Sequence, residues 1–170
     1  TYWVRFEYGG STFQQAVRNT AILFDCARRA GVEKIVHISV TNASLESNLP
    51  YYRGKALQEQ ELIRCGVPYA IVRPTLVFGI EDILVNNIAW LMRKFPVFPI
   101  FGSGEYRLQP VYVGDLAEIA VACAKGSHSM MIDVTGPEDF TFEEFLKQMA
   151  GKIKPDLKLI HFPPAVGIAD

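Results

Sequence analysis

Tyr51 and Lys55 stand i, i+4 in the stretch PYYRGKALQEQELIRCG, so both side chains share one face of any helix formed there. Twelve residues before Tyr51, Ser39 closes the run EKIVHIS, and a loop could fold it back beside them. A phenol has a pKa of about 10, too high for a base near neutral pH. A lysine ammonium close by favours the phenolate and lowers that value, bringing Tyr into the range of useful proton transfer. A neighbouring Ser hydroxyl can hold a substrate oxygen against the phenol. Held together, Ser, Tyr and Lys suit alcohol–carbonyl interconversion. With seven Tyr in the chain, one such spacing can also arise by chance. Tyr52 is an internal control, because the residue four positions on is Ala56.

The surrounding pattern supplies the elements that would position these groups. Glu33–Ser39 reads as a strand of continuous apolar character, which suits a parallel sheet covered on both faces. Pro50 opens a helix that runs to Cys65, with Gly66 just past its end. Glu59 and Glu61 are expected on its outer, solvated face. Tyr69–Val72 is the next parallel strand, ended by Arg73 and Pro74. Active sites of open α/β sheets lie beyond the carboxyl ends of the strands, where Ser39 and Arg73–Thr75 would fall. Upstream, Ser11 or Thr12 caps a helix over about 12–30, with Phe13, Ala16, Val17, Thr20, Ala21, Phe24 and Ala27 on one stripe and Gly31 as its stop. The opening TYWVRFEYGG reads as an aromatic loop ending in a turn, with Trp3 and Phe6 as packing residues.

Downstream, Glu81–Phe95 is expected to be a helix, with Asn86 and Asn87 facing either the cleft or water. Gly102-Ser103-Gly104 lacks the third glycine and the strand-to-helix step of a phosphate loop, so it reads as a hairpin-like turn. RLQPVYVGD would return to the sheet, with Asp115 capping a helix Leu116–Ala124. A strand Met130–Val134, a Gly136-Pro137 turn, a helix Phe142–Lys152 capped by Thr141 and a strand Lys158–Phe162 before Pro163-Pro164 complete a small C-terminal lobe. The expected division is 1–80 for the sheet and 81–170 for mixed lobe segments.

Composition narrows the function classes. A net charge of −1 without a basic block argues against nucleic acid. No apolar run is long enough to span a bilayer, and no signal peptide opens the chain. Apolar residues at 49% and aromatics at 12% argue for a packed domain rather than disorder. Cys26, Cys65 and Cys123 are odd in number and widely spaced, which suits a reducing cytosol; Cys26 and Cys123 sit in apolar helical patterns and are expected buried. His37, His128 and His161 lack metal-ligand spacing, so no metal is expected. His37, inside a strand, is expected to be a core histidine.

Taken in order, VRNTAILFDCARRAG, GVEKIVHIS, YYRGKALQE, YAIVRPTLVFG and YRLQPVYVGDLAEIAVACA resemble the extended short-chain dehydrogenase/reductase superfamily. More narrowly, they are similar to its atypical, NAD-dependent epimerase/dehydratase-like branch, near the homologues of the 39-kDa complex I subunit. The resemblance implies an α/β fold, the C-terminal half of a doubly wound (Rossmann) parallel sheet with a small substrate lobe. It implies NAD or NADP as cofactor, Tyr51 as acid/base and Lys55 as the holder of the nicotinamide ribose. Ser39 would orient the substrate, shared with or replaced by Thr41, because Val40 and Thr41 stand where the family often has a second Ser. The residues after the R-P step pass along the nicotinamide, which makes Arg73, Pro74, Thr75 and Val77 cofactor candidates; Arg73 could equally brace the strand end through a salt bridge. Arg107 matches an Arg that holds a substrate phosphate, and Asn87 is a further substrate candidate. Asn19 and Thr20 occupy the place of a helical Asn beside the family's active site, or make a structural hydrogen bond.

No G-x-G-x-x-G or G-x-x-G-x-x-G occurs in the chain, so the pyrophosphate-binding turn is expected to precede Thr1, with three strands, and the sequence reads as a piece of a larger protein, cut also at Asp170. Two functions stay open: a nicotinamide-dependent oxidoreductase or epimerase/dehydratase acting on a small molecule, and a nucleotide-binding structural or assembly protein that keeps the fold without turnover. The expected location is cytoplasmic, and helices 12–30 and 50–65 could pair in a homodimer.

Overall fold

The computed structural model describes residues 10–163. The expected aromatic loop with Trp3 and Phe6, and the closing segment from Pro164, lie outside the described residues. In chain order the elements are α1 (Phe13–Arg29), β1 (Ile35–Ile38), α2 (Pro50–Cys65), β2 (Tyr69–Pro74), β3 (Val77–Phe78) and α3 (Leu84–Lys94). There follow β4 (Val97–Phe101), β5 (Arg107–Leu108), β6 (Val111–Tyr112), α4 (Val113–Ala124), β7 (Met130–Val134), β8 (Phe140–Thr141), α5 (Phe142–Ile153) and β9 (Lys158–Phe162). They form two compact units. One takes the residues up to Thr75 and Asp115–Val134; the other takes Leu76–Gly114 and the residues from Thr135.

The first unit is built on a parallel sheet of order β1-β2-β7, in register Ile35↔Tyr69 and Ala70↔Met130. This is the α/β, Rossmann-like arrangement the sequence leads one to expect. Ala70, Ile71 and Val72 of the central strand are fully buried in succession, so both faces of the sheet are covered. Two helices pack against one another beside it. The Thr12 hydroxyl accepts from the Gln15 N–H at 3.0 Å and starts α1, while Gly31, at φ 72°, follows its end. α2 begins with Pro50 in its first turn and ends at Gly66, whose φ of 77° favours a residue without Cβ. Phe24, Leu62 and Ile71 form the core between helices and sheet. Gln58 of α2 donates to the Thr20 hydroxyl at 2.6 Å, and that hydroxyl donates to the Ala16 carbonyl at 2.8 Å, a buried polar link between the helices.

The second unit has its own core of Met92, Phe98, Ile100, Leu146, Ala150 and Leu157. β4 and β9 pair in parallel over five residues. α5 opens with a reciprocal cap: the Thr141 hydroxyl accepts from the Glu144 N–H, and the Glu144 carboxylate accepts from the Thr141 N–H. Gly136 lies against the Pro110 carbonyl so closely that a Cβ would sit 1.7 Å from its oxygen.

Several local expectations change. Gly102 and Gly104 do turn the chain, at φ 80° and 73°, but the strands flanking them form no hairpin: β4 joins β9 and β5 joins β8. The return at Val111–Tyr112 pairs with β3 alone, in a separate two-stranded sheet. Asp115 is no cap, because α4 already starts at Val113 and leaves it in the first turn. The helix expected from Glu81 starts at Leu84, where the Asp82 carboxylate accepts from the Leu84 and Val85 N–H groups. Cys26 is exposed, on the outer face of α1, whereas Cys123 is buried. No helix among the described residues is long and apolar enough to cross a membrane.

Candidate active site

The site is assembled where α2 crosses the end of β1. Tyr51, Lys55 and Glu59 follow one another at i, i+4, i+8, so helical geometry alone sets them in a row. Lys55 is 8% exposed and Glu59 3%. The Lys55 ammonium donates to the Ile38 carbonyl at 3.3 Å, which ties the helix to the last residue of β1. The next residue is Ser39. Its N–H donates to the Val72 carbonyl at 2.7 Å, and its hydroxyl is buried without a hydrogen-bond partner among the described residues. Tyr51 sits one turn before Lys55, half-buried, its ring edge-on to Tyr52 with centroids 5.3 Å apart.

The electrostatics follow from dryness. Burial pulls the Lys55 pKa down from 10.5 to about 8, and the Glu59 carboxylate draws it back up. Burial likewise lowers His37 from 6.5 to about 4, helped by the nearby Lys55 charge, so its imidazole is neutral at neutral pH. That ring packs edge-on to Phe24 at 5.6 Å, and its Nε2 is buried without a partner among the described residues.

Glu59 departs from expectation. The sequence suggests a solvated face, yet its carboxylate is buried and receives both arms of Arg73, Nε at 2.9 Å and Nη2 at 2.5 Å. Two parallel bonds of this kind form the strongest geometry open to an ion pair. Arg73 therefore braces the strand end, one of its two expected roles, and Glu59 holds its guanidinium above the usual pKa. Glu61 stays near the surface and pairs with Arg64.

The remaining candidates are placed as follows. Thr41 turns inward on β2, its N–H and hydroxyl both donating to the Pro74 carbonyl, at 3.0 and 3.2 Å. The Thr75 N–H donates to the Val134 carbonyl at 3.1 Å, continuing the β2–β7 pairing. Asn19 is exposed and accepts from Gln15, while Thr20 makes the buried contact to Gln58. Val77, Asn87 and Arg107 belong to the second unit. Val77 pairs with Val111. Arg107 is engaged by Asp139 at 3.0 and 2.7 Å on the surface. Asn87 is exposed, whereas its neighbour Asn86 donates to the carbonyls of Gly79, Ile80 and Asp82. A solvent-open groove of about 680 Å³ between α1 and α2, lined by Phe13, Val17, Pro50 and Leu57 among others, contains none of the candidate residues.

No family model matches the chain. Curated relatives do. NADH dehydrogenase (ubiquinone) 1 alpha subcomplex subunit 9, mitochondrial, from Arabidopsis thaliana is 31% identical over 144 residues, covering 82% of this chain and 36% of that protein. Its Mus musculus counterpart is 34% identical over 129 residues, covering 74% and 34%. The chain thus spans about a third of the length of these relatives. Among solved structures, UDP-glucose 4-epimerase from Thermotoga maritima with UDP-glucose superposes with a TM-score of 0.75 at 20% identity, covering 95% of this chain and 64% of that one. dTDP-glucose 4,6-dehydratase from Streptomyces venezuelae with NAD bound gives 0.75 at 20%, covering 88% and 54%. The expected cytoplasmic location is overturned by the curated relatives, whose names place them in mitochondria. Free cysteines report a reducing environment, not a particular compartment. The sequence relatives and the shared fold agree: the chain is related to the mitochondrial NADH dehydrogenase (ubiquinone) 1 alpha subcomplex subunit 9 proteins and has the Rossmann-like fold of these epimerase and dehydratase structures.

Proposed function

We propose that this chain carries the proton-transfer part of a nicotinamide-dependent oxidoreductase or epimerase/dehydratase site. One observation carries the reading: the buried Lys55 ammonium is fixed on the Ile38 carbonyl, next in sequence to Ser39, whose buried hydroxyl has no hydrogen-bond partner among the described residues. A buried hydroxyl left open is a group awaiting a ligand oxygen. These residues fit NAD(P), with Lys55 as donor to the ribose hydroxyls and Pro74 and Thr75 alongside. The bound nicotinamide would supply hydride chemistry. Tyr51 gives or takes the proton of the substrate alcohol or carbonyl, and Ser39 holds that oxygen in place. Thr41, with its hydroxyl donating to Pro74, supports the turn in this reading.

A second reading has its own support. The relatives that match over most of this chain are named as subunits of a mitochondrial NADH dehydrogenase, which favours a nucleotide-binding structural protein assembled with other proteins in mitochondria. Both readings use Lys55; only the first needs Tyr51. Titration of NADH and NADPH fluorescence on the full-length protein separates them, run beside Lys55→Ala and Tyr51→Phe. Binding lost in Lys55→Ala and kept in Tyr51→Phe, with turnover gone in the latter, supports the enzyme. Binding indifferent to Lys55 would sink both.

A further inference from the structure

Glu59 is a carboxylate in a place that disfavours carboxylates. It is 3% exposed, on the same helical row as Tyr51 and Lys55. Its two oxygens are occupied by the Arg73 fork, so the charge can neither swing away nor be quenched by water. A helix of this pitch brings Cβ atoms at i and i+4 within about 6 Å of one another. The pair is thus more than a brace: Arg73 alone could cap the strand end on a surface acid, with no need for a buried one.

We propose that Glu59, pinned by Arg73, is the positioning residue of the site, its carboxylate keeping the buried Lys55 in the ammonium form and directed at the end of β1. The functional weight of this assignment rests on the reading of Lys55 as the cofactor's ribose donor. An amine in place of the ammonium has one donor fewer and no charge, so a dry lysine without its counter-charge would lose both. Among the described residues near Lys55, Tyr51 and Glu59 lie on its own helix, His37 lies on β1, and Arg73 reaches in from β2 through Glu59, with the Asp133 carboxylate of β7 acting on Arg73 in turn. α1 presents Phe24 to His37 and Thr20 to Gln58, and neither titrates. His37 is neutral and cannot replace the carboxylate.

The test measures Lys55 itself in the full-length protein, by the pH dependence of its acetylation with acetic anhydride, read at the Lys55 peptide by mass spectrometry. Glu59→Gln keeps the shape and removes the charge. The ammonium-to-amine ratio at a given pH should fall about tenfold, a midpoint lower by about one on the pH scale. Arg73→Lys leaves the carboxylate charged and should shift the midpoint far less. If Glu59→Gln does not fold, Glu59→Asp withdraws the charge by one methylene and should give a shift of the same sign. An unmoved midpoint in whichever acid-site variant folds overturns the proposal. Because this measurement needs no cofactor, it stands apart from the functional reading: absent NAD(P) binding would defeat that reading and leave the Glu59–Lys55 coupling visible.

Discussion

Lys55 is expected to weaken the fold that holds it. The fall of its pKa from 10.5 to about 8 means that the folded protein binds the proton less well than the unfolded chain does. At about 1.4 kcal/mol per tenfold change, that difference is worth about 3 kcal/mol. The sign is fixed by linkage. Below pH 8 lysine is protonated in both states and the folded state bears the full penalty. As pH rises from about 8 to 10.5 the folded lysine releases its proton first, and the penalty fades.

Lys55→Met removes the charge while keeping the length of an apolar stem. Glu59 keeps both bonds from Arg73 in this variant, so no buried acid is stranded. The lost bond to Ile38 is long, at 3.3 Å, and a net hydrogen bond to a charged donor is worth about 1.5–3 kcal/mol at full strength. The balance predicts a variant about 1–2 kcal/mol more stable than the parent at pH 7. Urea unfolding followed by circular dichroism at pH 7 and at pH 10 measures it. The gain should shrink at the higher pH. A less stable Lys55→Met, or a difference that does not change with pH, refutes the reasoning that burial sets the state of this lysine.

Two further outcomes follow from the same burial and packing. His37, lowered from 6.5 to about 4 by burial, makes the folded state poorer at binding a proton between those values, so stability should be undiminished above pH 6.5 and fall by about 3 kcal/mol as pH drops to 4; His37→Leu should flatten that part of the urea-midpoint profile. Gly136→Ala would drive a Cβ to 1.7 Å from the Pro110 oxygen, a clash with backbone that no rotamer relieves, and thermal unfolding should show a loss above about 3 kcal/mol.

The elements around the site were legible because local rules and burial agree there. Pro50 and Gly66 punctuate α2, Thr12 and Gly31 punctuate α1, and the continuous apolar run Glu33–Ser39 suits the parallel strand β1. β9 was visible and β4 was not read as a strand; their pairing joins Phe101 to Phe162 across the whole of α4 and α5, and no nearby residue signals a partner that distant. Glu59 was misplaced for a different reason. Glutamate on a helix is solvated so regularly that its type outweighs its position. Yet the spacing that put Tyr51 and Lys55 on one face puts Glu59 there too. The i+8 step was the available signal, with Arg73 as the partner able to make burial tolerable.

The charges of that row bear on the choice between enzyme and scaffold. Lys55, Glu59 and Arg73 leave one positive charge in excess, near the Ser39 hydroxyl, which has no hydrogen-bond partner among the described residues. The core of α2 against the sheet is already apolar through Leu62, packed with Phe24 and Ile71, while the tie from Lys55 to Ile38 is a long bond from a buried ammonium. A protein selected only to hold its shape would be better served by methionine at position 55. A bound ligand with hydroxyls to accept the Lys55 and Ser39 donors reverses that balance, because ligand held only by the folded state stabilises it in proportion to RT ln(1 + [L]/Kd). Nicotinamide nucleotide at 100 times its Kd would add about 2.7 kcal/mol, close to what the buried ammonium costs. Stability of the full-length protein should therefore rise with NADH in the parent and stay level in Lys55→Met. Equal rises in both would place the nucleotide elsewhere, and the ammonium would then be left without the ligand that offsets it.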